Sequence, residues 1–288
     1  MKAPSFDVQR AGSLAEVFAL LAAHGDDARL LAGGQTLLAT LNMRLSQPRL
    51  LIDLNGLASL RTIALDGAGS GALLRIGALA THTQVEESAL VARHAPLLVQ
   101  AAPHIAHRAI RNRATFGGSL AYADPAAEWP ACALALDATL VLHSVRGERR
   151  VAAADFFQGL YTTALAGDEL LTACELPLLR EDQRQHFDEL ARRQGDYAIA
   201  GLAACARRDG PQLHDLRLAF FGLADRPLRA RATETLIEGR ACDDALLADA
   251  EATLRAELQP LADLTNDPQT KRQLAAVLLR RALRRLAE

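Results

Sequence analysis

Two Gly-Gly pairs with matching flanks do most to limit how this chain can fold. They stand in LLAGGQTLL, residues 30–38, and in RATFGGSLA, residues 113–121. In each, the pair is followed by a polar residue with a side-chain donor, Gln35 or Ser119, and then by apolar residues. Adjacent glycines let consecutive backbone N–H groups converge, because no Cβ blocks the unusual dihedrals. A helix starting just after the pair adds its unsatisfied N–H groups and the positive end of its dipole. Such a place binds anions, and two of them can grip the two ends of one pyrophosphate. Taken singly, each pair also reads as a tight turn. DGAGSG at 66–71 lacks the G-x-G-x-x-G spacing and lies between the strands of an expected hairpin, so it reads as a turn.

The second pair belongs to an odd stretch, RNRATFGGSLAYADPAAEW, residues 111–129, with little helical or strand periodicity. Asp124 can cap a helix with Pro125 at its first position. Its carboxylate can equally accept bonds from a ribose or an adenine-side group. Glu128 falls one residue late for a capping box, and Pro130 delays the helix.

Other chemistries are excluded by what the chain lacks. Of 32 Lys+Arg only Lys2 and Lys271 are lysine, and no Gly-Lys pair exists, so a P-loop is absent. Lys2 is terminal and Lys271 falls in a charged helical stretch, which leaves no good Schiff-base lysine. Cys132, Cys174, Cys205 and Cys242 are scattered without a C-x-x-C, so neither a cluster nor a structural zinc is expected in this chain. Four reduced cysteines suit a cytoplasmic protein. His104 and His107 lack a third ligand nearby, and no G-x-S-x-G or H-E-x-x-H occurs. Net charge −2 and 4% aromatics argue against nucleic acid. The apolar run Leu14 to Ala23 is broken by Glu16, with Ser13 as N-cap and Gly25 as stop; it is too short and polar for a signal or a membrane span.

The pattern along the chain is α+β. Helix 13–24, strand 28–32, helix 35–45 and strand 50–54 form a small unit. A hairpin around DGAGSG, helices at 83–93 and 96–109, a helix over 131–138, the strand 139–144 and a loop with a strand running into Pro177 follow. Polar residues 178–186 mark a boundary. Beyond it, residues 202–208 and 213–224 read as antiparallel strands, and 231–239, 243–258 and 268–286 as helices. The last helix is basic along one side, which reads as a solvated face. We therefore expect a domain over 1–177, with subdomains of about 1–54 and 55–177, and a second over 178–288.

Several segments together resemble one family. SLAEVFALLAAHGDDARLLAGGQTLL, RIGALATHTQVE, IRNRATFGGSLAYADPAAEWPACALALDA, GDELLTACELP and ARRQGDYAIAG, in that order, are similar to the medium, FAD-binding subunit of the molybdenum hydroxylases, the group containing carbon monoxide dehydrogenase and xanthine dehydrogenase. The resemblance covers nearly the whole chain. It implies a two-subdomain, PCMH-like FAD domain followed by a C-terminal domain with a three-stranded antiparallel sheet and helices. It implies that Ala32, Gly33, Gly34, Gln35, Thr36 and Leu37, with Thr115, Gly117, Gly118 and Ser119, wrap the FAD pyrophosphate, with Leu31 and Phe116 also in the cofactor-binding set. It places Asp124 near the adenosine or ribose end, and Tyr197 and Leu171 near the flavin in some members. The sequence departs from the pattern at Ala39, where proline is frequent, at Phe116 and Ser119, and at Asp188 and Glu189, near which some relatives carry lysine.

The resemblance also implies a function. Substrate is oxidised at a molybdenum cofactor in a large subunit, electrons cross [2Fe–2S] clusters in a small subunit, and the flavin here passes them to an external acceptor. No catalytic residue is expected in this chain, and a dimer of heterotrimers is the implied assembly. The alternatives are a self-contained FAD-dependent oxidoreductase acting on a small molecule and a nucleotide-binding regulatory module.

Overall fold

The computed structural model describes residues 2–288. The first layer is a parallel sheet with β3 (Leu50–Asp53) between β1 (Asp7–Arg10) and β2 (Ala28–Leu31). Parallel neighbours need crossovers. Here α1 (Leu14–His24) follows β1, and α2 (Leu37–Asn42) lies between β2 and β3. Ser13 caps α1 by accepting from Glu16 N–H, Gly25 ends it at φ 50, and Val17, Phe18 and Leu21 are its buried residues. Strand β3 is buried throughout, whereas β1, with sequence DVQR, is exposed throughout. Its polar sequence carries no strand signal, and the first third therefore holds one strand more than expected.

The second layer is antiparallel, in the order β4 (Ile63–Asp66), β5 (Leu73–Gly77), β10 (Leu170–Pro177), β6 (Thr139–Ser144), β7 (Gly147–Ala152). Strand β10 is central and buried from Leu170 to Leu176. Edge strand β7, GERRVA, is almost wholly exposed and charged, as an unpaired edge favours. Its Arg150 and the neighbouring Arg75 both bind the buried Glu175. A helical cluster, α3 (His82–Glu87), α4 (Ala89–His94), α5 (Pro96–Ala101), α6 (Arg108–Arg111), α7 (Phe116–Tyr122) and α8 (Glu128–Ala135), is threaded between β5 and β6. Helix α8 is buried along its whole length. Pro130 sits within its first turn, where the missing N–H breaks no intrahelical bond, so the helix starts before the proline rather than after it. The short α9 (Ala153–Phe156) and the hairpin of β8 (Phe157–Gly159) and β9 (Thr162–Thr163) precede β10.

The third sheet is antiparallel: β11 (Gln183–Leu190), β12 (Ala200–Asp209), β13 (Gln212–Phe221) and the two-residue β14 (Leu228–Arg229). Three long strands match the expectation, and β14 adds a short fourth. Strand β11 occupies part of the supposed polar boundary; it lies against α5 and α12 (Pro268–Ala287) and is buried only at Phe187 and Glu189. Helices α10 (Arg231–Ile237) and α11 (Asp244–Glu257) complete this part. The basic side of α12 is matched by acids, with Arg280 on Glu251, Arg281 on Asp188 and Arg284 on Asp244. Lys271 is buried, held by Asp263 at 2.9 Å and the Gly222 carbonyl at 3.0 Å. One apolar core runs from Leu74 and Ile76 through Phe116 and Trp129 to Phe187 and Phe221, joining the second and third sheets. Among the described residues, no helix is long and apolar enough to cross a membrane.

Candidate cofactor site

The two glycine segments meet, but they are not equivalent. A Cβ on Gly33 would stand 2.1 Å from the Arg113 carbonyl oxygen and 2.8 Å from Ala114 Cα, so only glycine permits that approach. Gly34 turns the chain at φ 73 into α2. On the second segment, a Cβ on Gly117 would stand 2.4 to 2.8 Å from atoms of Ala78. The N–H groups there are committed. Phe116 donates to Ala80 O and Gly117 to Ala78 O, Gly118 donates to Thr115 Oγ1 at 3.2 Å, and Ser119 donates to Thr115 O. Thr115 thus serves as the N-cap of α7. By contrast, the backbone N–H groups of Gly33, Gly34, Gln35 and Thr36 find no protein acceptor among the described residues. Four consecutive free donors at a helix start suit an anion held by backbone.

Three of these four residues, Gly33, Gln35 and Thr36, line a cleft of about 320 Å³, at the small end of ligand pockets. Of the residues expected from sequence, Gly33, Gln35, Thr36, Thr115, Gly118, Ser119, Asp124 and Tyr197 line it. Leu31, Ala32, Gly34, Leu37, Phe116, Gly117 and Leu171 do not. Phe116 is fully buried against Trp129, and Leu171 is buried in β10. Among the described residues, no arginine or lysine lines the cleft. Its far wall comes from residues the sequence did not flag: Ile105, Ala106, Ile110 and Gly195. Ala106 is at φ 45, and a Cβ on Gly195 would stand 2.4 Å from Ala106 O, so the loop carrying Tyr197 rests on this turn.

Asp124 does not cap a helix. Its Oδ1 accepts from Ala126 N–H at 2.9 Å and its carbonyl from Ala127 N–H, an Asx-type turn, while α8 begins only at Glu128. Burial raises the Asp124 carboxyl. The chain has three tyrosines, and all three feel the Asp124 charge. Burial first, and then Asp124, pushes the Tyr122, Tyr161 and Tyr197 hydroxyls up. Tyr122 and Tyr161 pack with ring centroids 5.0 Å apart, and Tyr161 and the cleft-lining Tyr197 are exposed. Tyr122 and Tyr161 were missed because they are scattered in sequence and meet only through the β8–β9 hairpin.

Behind the cleft, Trp129 Nε1–H donates to His82 Nδ1 at 3.0 Å. That bond leaves the neutral ring's proton on Nε2, in a residue that lines the cleft. Burial, with Arg111 nearby, holds the imidazole down to about 3. Glu128 also lines the cleft; burial, then the charges of Glu189 and Asp124, pushes its carboxyl up to about 8.

The family profile described as the FAD binding domain in molybdopterin dehydrogenase matches residues 4–179. The chain belongs to that family. The CO dehydrogenase flavoprotein C-terminal domain matches residues 185–286 of this FAD-binding subunit. The subunit is 35% identical to the caffeine dehydrogenase subunit beta of Pseudomonas sp. (strain CBB1) over 289 aligned positions, covering 100% of this chain and 97% of that one. It superposes with a TM-score of 0.94 and 35% identity on carbon monoxide dehydrogenase from Hydrogenophaga pseudoflava lacking the Mo-pyranopterin moiety of its molybdenum cofactor, covering 99% of this chain and 98% of that one. For quinoline 2-oxidoreductase from Pseudomonas putida 86 the TM-score is 0.92 with 35% identity, over 100% and 98%. This chain is therefore a flavoprotein subunit of the molybdenum-containing oxidoreductases, and FAD is its cofactor.

Proposed function

We propose that this subunit relays electrons inside a molybdenum hydroxylase complex. It takes them from [2Fe–2S] clusters of a small subunit, after substrate is oxidised at molybdenum in a large subunit, and hands them to an external acceptor. A dimer of heterotrimers in the cytoplasm is the assembly we infer. The observation that carries the reading is the free backbone N–H groups of Gly33, Gln35 and Thr36, three residues that line the cleft. Those donors fit a pyrophosphate whose charge no basic side chain answers. Thr115, Gly118 and Ser119 form the opposite wall, Gly33 lets the first segment approach Arg113 and Ala114, and Gly117 lets the second pack on Ala78. Asp124 would accept from hydroxyl groups of the cofactor, and the exposed Tyr197 would stand toward its flavin end. His82, held neutral by burial and by nearby Arg111, accepts from Trp129 at Nδ1 and so would offer its Nε2–H to the cleft. Leu31, Ala32, Gly34, Leu37, Phe116 and Leu171 act from behind, by setting backbone or packing.

When bound, FAD supplies the ability to accept electrons singly and release them in pairs. The chain itself positions the group and limits water. The division of labour agrees with the cysteines. Burial pushes the thiols of Cys132, Cys174 and Cys205 up, which suits packing rather than thiolate ligation. The test is anaerobic mixing of the lone FAD-loaded subunit with the complex's substrate, following bleaching of the flavin band. The subunit stays yellow alone, and bleaches rapidly once the iron–sulfur and molybdenum subunits are added. Bleaching of the lone subunit at the rate of the whole complex overturns the relay and makes it a self-contained flavoenzyme.

A further inference from the structure

The segment RPLRAR, residues 226–231, carries three arginines in six positions and lies far along the chain from both glycine segments. Arg226, Arg229 and Arg231 all line a second cavity, of about 420 Å³. Helix α9 and strand β8 bound it on one side, β14 and the start of α10 on the other. It shares no lining residue with the cofactor cleft. Its size is that of a small-molecule site, and a bare inorganic anion fills only a small part of it.

The arginines are held in place. Arg229, with its side chain 10% exposed, donates from Nη2 to Glu234 Oε2 at 2.7 Å and to the Leu216 carbonyl at 3.2 Å. Arg231 Nη1 stands 3.8 Å from the same Glu234 oxygen. Arg226 reaches over to β8, where its Nη1 donates to the Gln158 carbonyl at 2.6 Å. Three guanidinium groups thus stand against one buried carboxylate, Glu234, and most of the N–H groups of Arg226 and Arg231 have no acceptor among the described residues. Asp155 is the single acid among the lining residues; it is exposed and forms no ion pair with the three among the described residues. The buried members of the lining, Leu134, Ala153, Phe157 and Pro227, are all apolar. One part of the cavity therefore suits an oxyanion and another an apolar body.

We propose that this cavity is a second ligand site, which takes a small phosphomonoester whose phosphate lies on Arg226 and Arg231 and whose apolar body packs toward Leu134 and Phe157. Charge favours phosphate over carboxylate. Two positive charges remain after Glu234 is set against the three arginines, and a phosphomonoester carries about −1.5 to −2 at neutral pH. Its three terminal oxygens also take up more guanidinium forks than the two of a carboxylate. The site does not depend on how FAD is held.

The experiment titrates phenyl phosphate into the full-length chain saturated with FAD, which keeps the cofactor cleft filled, and reads the heat of binding. We expect one phenyl phosphate per chain, with a Kd of about 1 mM or tighter. Inorganic phosphate should bind roughly tenfold more weakly, for want of the buried ring. Arg231→Gln removes a side chain that makes no hydrogen bond among the described residues, and Glu234 keeps its bonds from Arg229 and the Leu218 N–H. It should melt as wild type does and lose roughly tenfold or more in affinity for phenyl phosphate. Arg226→Gln should lose a similar factor. No binding up to about 10 mM, or undiminished affinity in both variants, overturns the site. Equal affinity for inorganic and phenyl phosphate overturns the apolar half of the assignment. Release of FAD during the titration, seen as a rise in flavin fluorescence, places the ligand in the cofactor cleft and also overturns it. A chain that takes up no FAD defeats the cofactor reading instead, and the arginine variants still decide this site.

Discussion

Replacing Gly33 by alanine tests whether the two glycine segments close on each other as described. The added methyl lands 2.1 Å from the Arg113 carbonyl oxygen, where contacts below 3.0 Å essentially never occur. The segments must therefore separate by about 1 Å, an overpacking that costs roughly 1–3 kcal/mol. The obstacle is backbone on a wall of the cleft, so no side chain can swing away. If the gap opens where the pyrophosphate sits, FAD affinity falls by roughly 5- to 150-fold, the same free energy expressed as a ratio. Gly69→Ala separates this effect from simple glycine strain. Gly69 has φ 64 but nothing within 4 Å and lies outside the cleft, so its variant loses about 1 kcal/mol of stability with FAD affinity intact. The assay is fluorescence titration of FAD into deflavinated chain, alongside urea unfolding. Wild-type affinity and stability in Gly33→Ala refute the close approach.

Other outcomes follow from the buried polar groups. Trp129→Phe strips His82 Nδ1 of its buried donor and destabilises by about 1–3 kcal/mol in chemical denaturation. His82 is held near 3 against an ordinary 6.5, so the unfolded chain takes up a proton that the native chain refuses. Stability from this group is complete above 6.5 and falls as pH drops toward 3, by up to about 1.4 kcal/mol per pH unit; His82→Gln flattens that limb. Glu128 acts in the opposite sense. Its raised carboxyl lowers stability as pH climbs from 4.5 to about 8, so Glu128→Gln gains on wild type across that window and keeps a constant advantage above it. Lys271→Met leaves the Gly222 carbonyl and Asp263 without their cation. It costs about 1–3 kcal/mol in urea unfolding. Asp263, now held well below the usual carboxylate range, titrates closer to normal in that variant by NMR.

What could be read from sequence was local, and what could not was brought together by long connections. Gly33-Gly34 announced a tight turn feeding a helix, because nearest neighbours decide such chemistry. The contact of Gly33 with Arg113 spans the first two layers and leaves no mark in either segment. Asp124-Pro125 looked like a helix start, yet the chain makes an Asx turn first, since Pro130 fits the first turn of the buried α8. Strand β7 was invisible because its middle is Glu-Arg-Arg, with Arg149 paired to Glu169 and Arg150 to Glu175 instead of packed in a core. Strand β11 was hidden for the same reason: its polar residues QRQH stay partly exposed, and only Phe187 and Glu189 turn inward. Tyr122 and Tyr161 had no pattern to betray them, being 39 positions apart and joined only by the fold.

The lone tryptophan gives the molecule an internal optical gauge. Trp129 is the only indole in 288 residues, fully buried, and set against His82 and Phe116 behind the cleft. Excitation at the red edge of its absorption, which tyrosine does not share, interrogates a single place. Its emission should lie to the blue, dim as flavin fills the cleft and drains its excited state, and change again when His82 gains a proton. Loading, release and acidification can then be timed in unlabelled protein, within whatever assembly the subunit joins, provided the partners' own chromophores are subtracted.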